Sequence, residues 1–242
     1  MRLDRYLHDL GFGSRKDIDR LLHHRRVTVD GEIVKKGAMH VSLDSAVCVD
    51  GECLTYAPEV WMMLNKPEGV VSAVKDAQDE TVLDLLPERF SHMRVAPVGR
   101  LDKDTTGLLL LTNDGALAHR VMRPKSGIMK TYAVTYEEAL VPDAVERCRV
   151  GIDLDDFVTA PAELVLEEEG HCTLSISEGK YHQVKRMLHA LGGVVVGLKR
   201  IAIGRLALDP ALAPGEWRLL TADEIEILQQ DAKKEDKSHE SI

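Results

Sequence analysis

Leu3, Tyr6, Leu7 and Leu10 recur at the spacing of one helix face and stop at Gly11, predicting a short amphipathic helix near the start of the chain. Ser14 then reads as an N-cap with Asp17 at the box position, and Ile18, Leu21 and Leu22 form the apolar face of a second helix. Alternation takes over in Val27-Thr28-Val29-Asp30-Gly31-Glu32-Ile33-Val34, where the Asp-Gly pair predicts a hairpin, and Val47-Cys48-Val49-Asp50-Gly51-Glu52-Cys53-Leu54 repeats that wording. These elements make one small module, residues 1–55. Residues 56–60, with Pro58, read as a linker.

A larger pattern follows over residues 61–230. Trp61 to Asn65 is an apolar strand entering a Lys-Pro-Glu-Gly turn. Thr81 to Leu86 predicts a short helix ended by Pro87. Leu108 to Leu111 is a fully apolar run bounded by turn residues, the mark of a buried strand. Ala116 to Met122 predicts a helix with Asp114 near its cap. Met129 to Tyr136 alternates, placing Tyr132, Val134 and Tyr136 on one face of a strand. A helix is expected over Pro142 to Arg149, with strands over Ala162 to Leu166 and Cys172 to Ser177.

From His182 to Leu191 the helical period is clearest. Val184, Met187, Leu188 and Leu191 form the apolar stripe; His182, Lys185, Arg186 and His189 share the other side; Gly192 and Gly193 end it. Val194 to Val196, Lys199 to Ile203 and Arg205 to Leu208 read as short strands, and Glu224 to Gln230 as a last helix. Residues 231–242 read as an acidic, disordered tail. Strands outnumber helices without regular alternation, so the fold class is α+β: a small N-terminal module, then a mixed, mainly antiparallel sheet with flanking helices.

Composition narrows the class. The 242 residues are 44 % hydrophobic and 29 % charged, typical of a globular chain, and no apolar run approaches the ~20 residues of a membrane span. The first residues lack the apolar core of a signal peptide, so a cytoplasmic protein is expected. Cys48, Cys53, Cys148 and Cys172 show no ligand spacing, and free buried thiols are expected, with no metal. The formal charge of −9 argues against a polyanionic partner until its distribution is considered. Gly179 to Leu208 holds six Lys or Arg and no acid, and Arg15 to Arg26 holds five against two. Local basic faces decide whether phosphates are attracted.

The densest chemistry lies in Gly99-Arg100-Leu101-Asp102-Lys103-Asp104-Thr105-Thr106-Gly107-Leu108-Leu109-Leu110-Leu111-Thr112-Asn113-Asp114-Gly115. It sets Arg100 and Asp102 on a polar loop braced by the leucine strand, the arrangement in which a catalytic group meets a ligand from a fixed backbone. By turn statistics alone, Asp102 and Asp104 would only stabilise a turn. The whole string, however, resembles the active-site signature of the RsuA-type branch of the RNA pseudouridine synthases. Lys130-Thr131-Tyr132 resembles that family's tyrosine motif, and Glu178-Gly179-Lys180-Tyr181-His182-Gln183-Val184-Lys185-Arg186-Met187 its third motif. The first module resembles the alpha-L type of RNA-binding domain. Together the likeness covers about residues 1 to 226.

The resemblance implies Asp102 as the catalytic residue, Lys185 as the cation paired with it, Arg100 as a group that expels the stacked base or holds a phosphate, and Tyr132 as the surface on which the everted uracil lies. Arg100 and Lys185 could exchange roles. RNA contacts are expected from Arg15, Lys16, Arg20, Arg25, Arg26, His182, Gln183, Arg186 and Lys199. The reaction breaks the N-glycosidic bond, turns the uracil and joins its C5 to C1′. Nothing is oxidised, so no cofactor is expected. The carboxylate could attack C1′, remove a ribose proton, or add to the uracil ring.

An ionised carboxylate in a dry pocket is the expectation, held charged by a neighbouring cation. The ending Ala213-Pro214-Gly215-Glu216-Trp217-Arg218-Leu219-Leu220-Thr221 and the motif wording look closest to the enzyme of 16S ribosomal RNA, implying action at uridine 516, on naked RNA or on a partly assembled small-subunit particle; short hairpins and mixed charge faces offer no clear self-association surface, so a monomer is the default expectation. A 23S enzyme and a non-catalytic RNA-binding assembly protein are the alternatives. No Gly-x-Ser-x-Gly elbow or phosphate-binding Gly-rich loop supports a hydrolase or nucleotide-binding reading.

Overall fold

A computed structural model describes residues 1–123 and 126–233. Contacts divide the chain into two compact units: Met1–Val60 together with Leu83–Val95, and Trp61–Val82 together with the chain from Ala96.

In the first unit, α1 (Leu3–Asp9) and α2 (Arg15–His23) pack on a four-stranded antiparallel sheet of β1 (Val27–Val29), β2 (Glu32–Ile33), β3 (Val47–Val49) and β4 (Glu52–Cys53), in the order β2-β1-β3-β4. Leu3, Tyr6, Leu7, Ile18, Leu22, Val27 and Val47 form its core. The capping box closes as expected: Ser14 Oγ accepts from Asp17 N, and the Asp17 carboxylate accepts from Ser14 N. Both hairpins turn on Asp-Gly pairs with positive φ at both residues, the type I′ geometry that matches strand twist.

Those hairpins correct the cysteine expectation. Cys48 and Cys53 face each other across β3 and β4 and form a disulfide, while Cys148 and Cys172 are free and buried. Spacing in sequence did not suggest the pairing, which arises because the turn folds the two strands into register. The helix expected over Thr81 to Leu86 is also corrected. That stretch is a series of turns, and α3 (Glu88–His92) begins after Pro87, because proline suits the first positions of a helix better than its end.

The second unit holds a nine-stranded sheet. Its elements are β5 (Trp61–Lys66), β6 (Ala96–Pro97), β7 (Thr106–Thr112), α4 (Gly115–Met122), β8 (Lys130–Glu137), α5 (Ala144–Val150), β9 (Glu163–Leu166), β10 (His171–Ile176), α6 (Gln183–Ala190), β11 (Val194–Ile203), β12 (Leu206–Ala207), β13 (Trp217–Leu219) and α7 (Ala222–Lys233). The order is β13-β5-β7-β11-β8-β10-β9, with β12 on β11 and β6 on β7. Among the described pairs only β7 with β11 is parallel, so the sheet is mixed and mainly antiparallel.

Strand β7 is the spine. Leu108 to Leu111 are fully buried between β5 and β11; Leu108 and Leu110 join Trp61, Met63, Leu117, Val121 and Leu228 in one core. Burial on both faces is why four leucines run together without alternating. The two strands expected on either side of Gly197 are one, β11, which continues through register shifts at Val195/Gly197 and Arg200/Ala202.

At the end of the chain, Asp231 is buried and accepts from Arg205 N and Nε, so the helix runs through Lys233 where a free tail was expected from 231. Residues 234–242 of that expected tail lie outside the described residues.

Gly107 enters β7 with φ +97, and a Cβ there would stand 2.3 Å from the Arg200 carbonyl oxygen. Gly107→Ala is therefore expected to lower stability by about 1–3 kcal/mol through backbone strain and lost β7–β11 approach, read from the denaturation midpoint. A midpoint unchanged from the parent would contradict this packing.

Candidate active site

A cavity of about 280 Å³ in the second unit is lined by the Asp102 loop, Tyr132 of β8, Leu198 of β11, and the turn and first residues of α6. Each wall is positioned by a separate piece of sequence. The Asp102 loop is fixed from below by the turn after β5. Lys66 is fully buried, and its ammonium donates to the carbonyls of Pro67, Lys103 and Thr105 at 3.0, 3.3 and 2.9 Å. Its three protons thus meet three acceptors. Gly69 N donates to the Lys103 carbonyl; Ser72 Oγ donates to the Leu101 carbonyl and accepts from Leu101 N. The loop carrying the carboxylate is therefore held on both sides of Asp102.

Asp102 itself is about one-third exposed, which corrects the expectation of a carboxylate shielded from solvent. The cavity is open on that side, so water is excluded only when something fills it. One carboxylate oxygen lies 3.6 Å from His182 Nε2 and 3.8 Å from Lys185 Nζ. Lys185 bonds more closely to Asp104, at 2.6 and 2.7 Å, and this ammonium holds the Asp104 carboxyl below the usual carboxylate range. One cation thus serves two carboxylates, Asp104 by direct hydrogen bonds and Asp102 at longer range.

Tyr132 is buried on the floor, opposite Leu174 on β10 and Arg200 on β11. Arg200 is 1 % exposed; its Nε donates to the Leu108 carbonyl, and one terminal nitrogen is buried without a partner. Lys130, two residues before Tyr132, donates to the Ser177 carbonyl, and burial, reinforced by the Arg200 cation, pulls its ammonium down to about 8. Thr105 also lines the cavity, with a buried hydroxyl that meets no partner.

The third-motif turn is built around His182, which adopts φ +49 at the N-cap of α6, a left-handed conformation uncommon outside glycine and enriched for His. Gln183 is buried and accepts from Lys180 N, so its amide shapes this turn while the residue also lines the cavity. Arg186 is likewise engaged by the protein, bonded to Asp156 and to the Leu154 carbonyl. Arg100 is exposed on the rim, and Lys199 is exposed on β11.

In the first unit, Arg15, Lys16, Arg20, Arg25 and Arg26 are all exposed; Arg26 is paired with Asp50 and Arg20 stands 3.7 Å from Asp17. Among the described residues no group of His, Cys, Asp and Glu is arranged to hold a metal ion.

Residues 60–190 match the RNA pseudouridylate synthase family, and residues 1–47 match the S4 domain. The chain belongs to the RNA pseudouridylate synthases. It is an isomerase that acts on RNA. It is 43 % identical to the uncharacterized RNA pseudouridine synthase YtzG of Bacillus subtilis, over 95 % of this chain and 99 % of that one. It is also 44 % identical to the ribosomal small subunit pseudouridine synthase A of Yersinia pestis, over 93 % and 97 %. A solved pseudouridylate synthase superposes with a TM-score of 0.67 at 38 % identity, covering 94 % of this chain and 99 % of the other.

Lys66, Thr105 and Arg200 were not singled out by sequence reasoning, and Asp104 reads there only as a turn residue. The signal for Lys66 was the Lys-Pro-Glu-Gly wording after an apolar strand, which reads as a plain turn. For Arg200 it was the second of two adjacent charges leading into the apolar Ile201-Ala202-Ile203.

Burial pulls the Lys66 ammonium down to about 8, against the pull of Asp104 and Asp102. Below that pH both folded and unfolded chains carry the proton. Between about 8 and the ordinary lysine value of roughly 10.4 the unfolded chain binds more protons, so this group adds stability as pH rises. The loop meanwhile loses one of its three donated bonds. Turnover is therefore expected to fall as pH climbs through about 8 while stability does not, and Lys66→Met is expected to lose about 10²-fold, the cost of a misplaced catalytic group. Tritium release from RNA labelled at uridine C5 measures both; Lys66→Met at parental rate would refute the clamp.

Proposed function

We propose that this chain converts a uridine of 16S ribosomal RNA to pseudouridine, uridine 516 by resemblance, with Asp102 as the catalytic residue. The observation that carries the reading is the Asp102 carboxylate lining one cavity with Tyr132 and Lys185, on a loop fixed from below by Lys66. Relatives named for the small ribosomal subunit support the choice of RNA: those of Yersinia pestis and Escherichia coli are 44 % and 42 % identical to this chain.

In this reading the target uridine leaves the RNA stack, at a cost of a few kcal/mol, and its uracil enters the cavity against Tyr132. The filled cavity excludes the water that reaches Asp102 in the free protein, strengthening each charge interaction inside. Asp102 acts while Lys185, steadied by Asp104, offsets its charge. The N1–C1′ bond breaks, the uracil turns within the cavity, and C5 bonds to C1′. C5 gives up its proton and N1 takes one, so the atoms balance without oxidant or cofactor.

Arg100 on the rim holds backbone phosphate or fills the gap left in the stack. Exposed Lys199, and Arg15, Lys16, Arg20, Arg25 and Arg26 of the S4 module, extend contact along the RNA; those paired with carboxylates exchange partners on binding. The protein works as a monomer in the cytoplasm, on RNA or a partly assembled small-subunit particle. No helix among the described residues is long and apolar enough to cross a membrane.

Cells lacking the protein are expected to lose one pseudouridine from 16S RNA. The parent chain restores it; Asp102→Asn does not, its rate falling by at least about 10²–10⁴-fold, the usual worth of a positioned acid–base group. Mapping of pseudouridines in both subunits' RNA decides the point. Loss of a 23S site instead overturns the substrate, and restoration by Asp102→Asn overturns the catalytic residue.

A further inference from the structure

Tyr181 stands apart from the machinery above. At 75 % exposure it is the most exposed large side chain of the described apolar and aromatic set, yet it lines the same cavity as Asp102 and Tyr132. One face of its ring is taken: it lies on the His182 imidazole with centroids 3.8 Å apart and planes 19° from parallel. His182 is in turn held in its left-handed conformation with Nε2 3.6 Å from the Asp102 carboxylate. The phenol is thus fixed by a stack to the wall of the catalytic cavity, with most of its surface turned to water. Among the described residues nothing covers that surface, so apolar area that burial would favour stays wet.

The cavity indicates what would cover it. At about 280 Å³ it lies at the lower edge of the roughly 300–1,000 Å³ range of small-molecule pockets, enough for the one base that is everted. Eversion of one uridine therefore leaves its neighbours at the rim, each with a base face stripped of its stacking partner. Stacking on an aromatic side chain suits any base, since every base offers a π face. We propose that the Tyr181–His182 pair is a stacking platform for the base adjacent to the target uridine, so that the RNA exchanges a lost base–base stack for one on Tyr181. The inference rests on the cavity being the seat of the everted uridine.

The test measures binding of a 16S fragment to full-length Asp102→Asn protein, with 2-aminopurine placed in turn on either side of the target. Binding should quench the probe at one of the two positions. Adding Tyr181→Ala should abolish that quenching and weaken binding about 5- to 150-fold, the worth of one base–aromatic stack, whereas Tyr181→Phe should retain both. A fragment abasic at the quenched position should bind the Tyr181 parent and the Tyr181→Ala protein equally. If Tyr181→Ala weakens intact and abasic RNA by the same factor, or no position is quenched, the platform is refuted. Turnover is read separately: Asp102→Asn protein that still makes pseudouridine would refute the catalytic reading and leave the stacking result standing.

Discussion

Beneath the catalytic loop a single lysine ammonium is enclosed by protein and satisfied by three backbone carbonyls, and the geometry of the site depends on that clasp. An unpaired buried cation would be costly enough to give up its proton. Lys66 is tolerated because the chain bends so that Pro67, Lys103 and Thr105 all turn their oxygens inward. The constraint works in both directions: the charge requires the carbonyls, and satisfying it fixes the backbone on which Asp102 stands. The rigid leucine strand that follows, buried on both faces, transmits this order into the sheet.

The distribution of charge above the loop has the same economy. Lys185 bonds directly to Asp104 and reaches Asp102 only at 3.8 Å. Were it bonded fully to Asp102, that carboxylate would be spent on protein. With Asp104 as the close partner, the ammonium is held in place and Asp102 keeps oxygen lone pairs for a substrate. A cation shared in this unequal way tunes the field at a reactive group without consuming it.

Most of the fold was legible wherever period and boundary residues agreed. Leu3, Tyr6, Leu7 and Leu10 fixed one helix face, Ser14 and Asp17 the start of the next, the Asp-Gly pairs both hairpins, and Val184, Met187, Leu188 and Leu191 the inner side of the third-motif helix. What escaped depends on long-range register. Gly197 looked like an interruption, but neighbouring strands carry β11 through it. Pro87 reads as a stop in sequence and is a start in the fold. Asp102, Tyr132 and Lys185 could be placed in one site only through the family resemblance. Lys66 and Arg200, which support them, were invisible because nothing local distinguishes a buried cation from a surface one.

One feature of the chain's path bears on dissection of the molecule. Helix α3 belongs with the first unit although it follows β5 in sequence: the Arg89 carbonyl oxygen would lie 2.2 Å from a Cβ on Gly11, and the Gly11 carbonyl meets the His92 ring at 3.0 Å. The polypeptide consequently crosses from one unit to the other three times, at Val60, Val82 and Val95. A fragment cut at residues 56–60 would carry the two N-terminal helices and both hairpins but would forfeit the piece that abuts Gly11. The RNA-binding module of this enzyme is therefore not a bead on a string: it is complete only with α3.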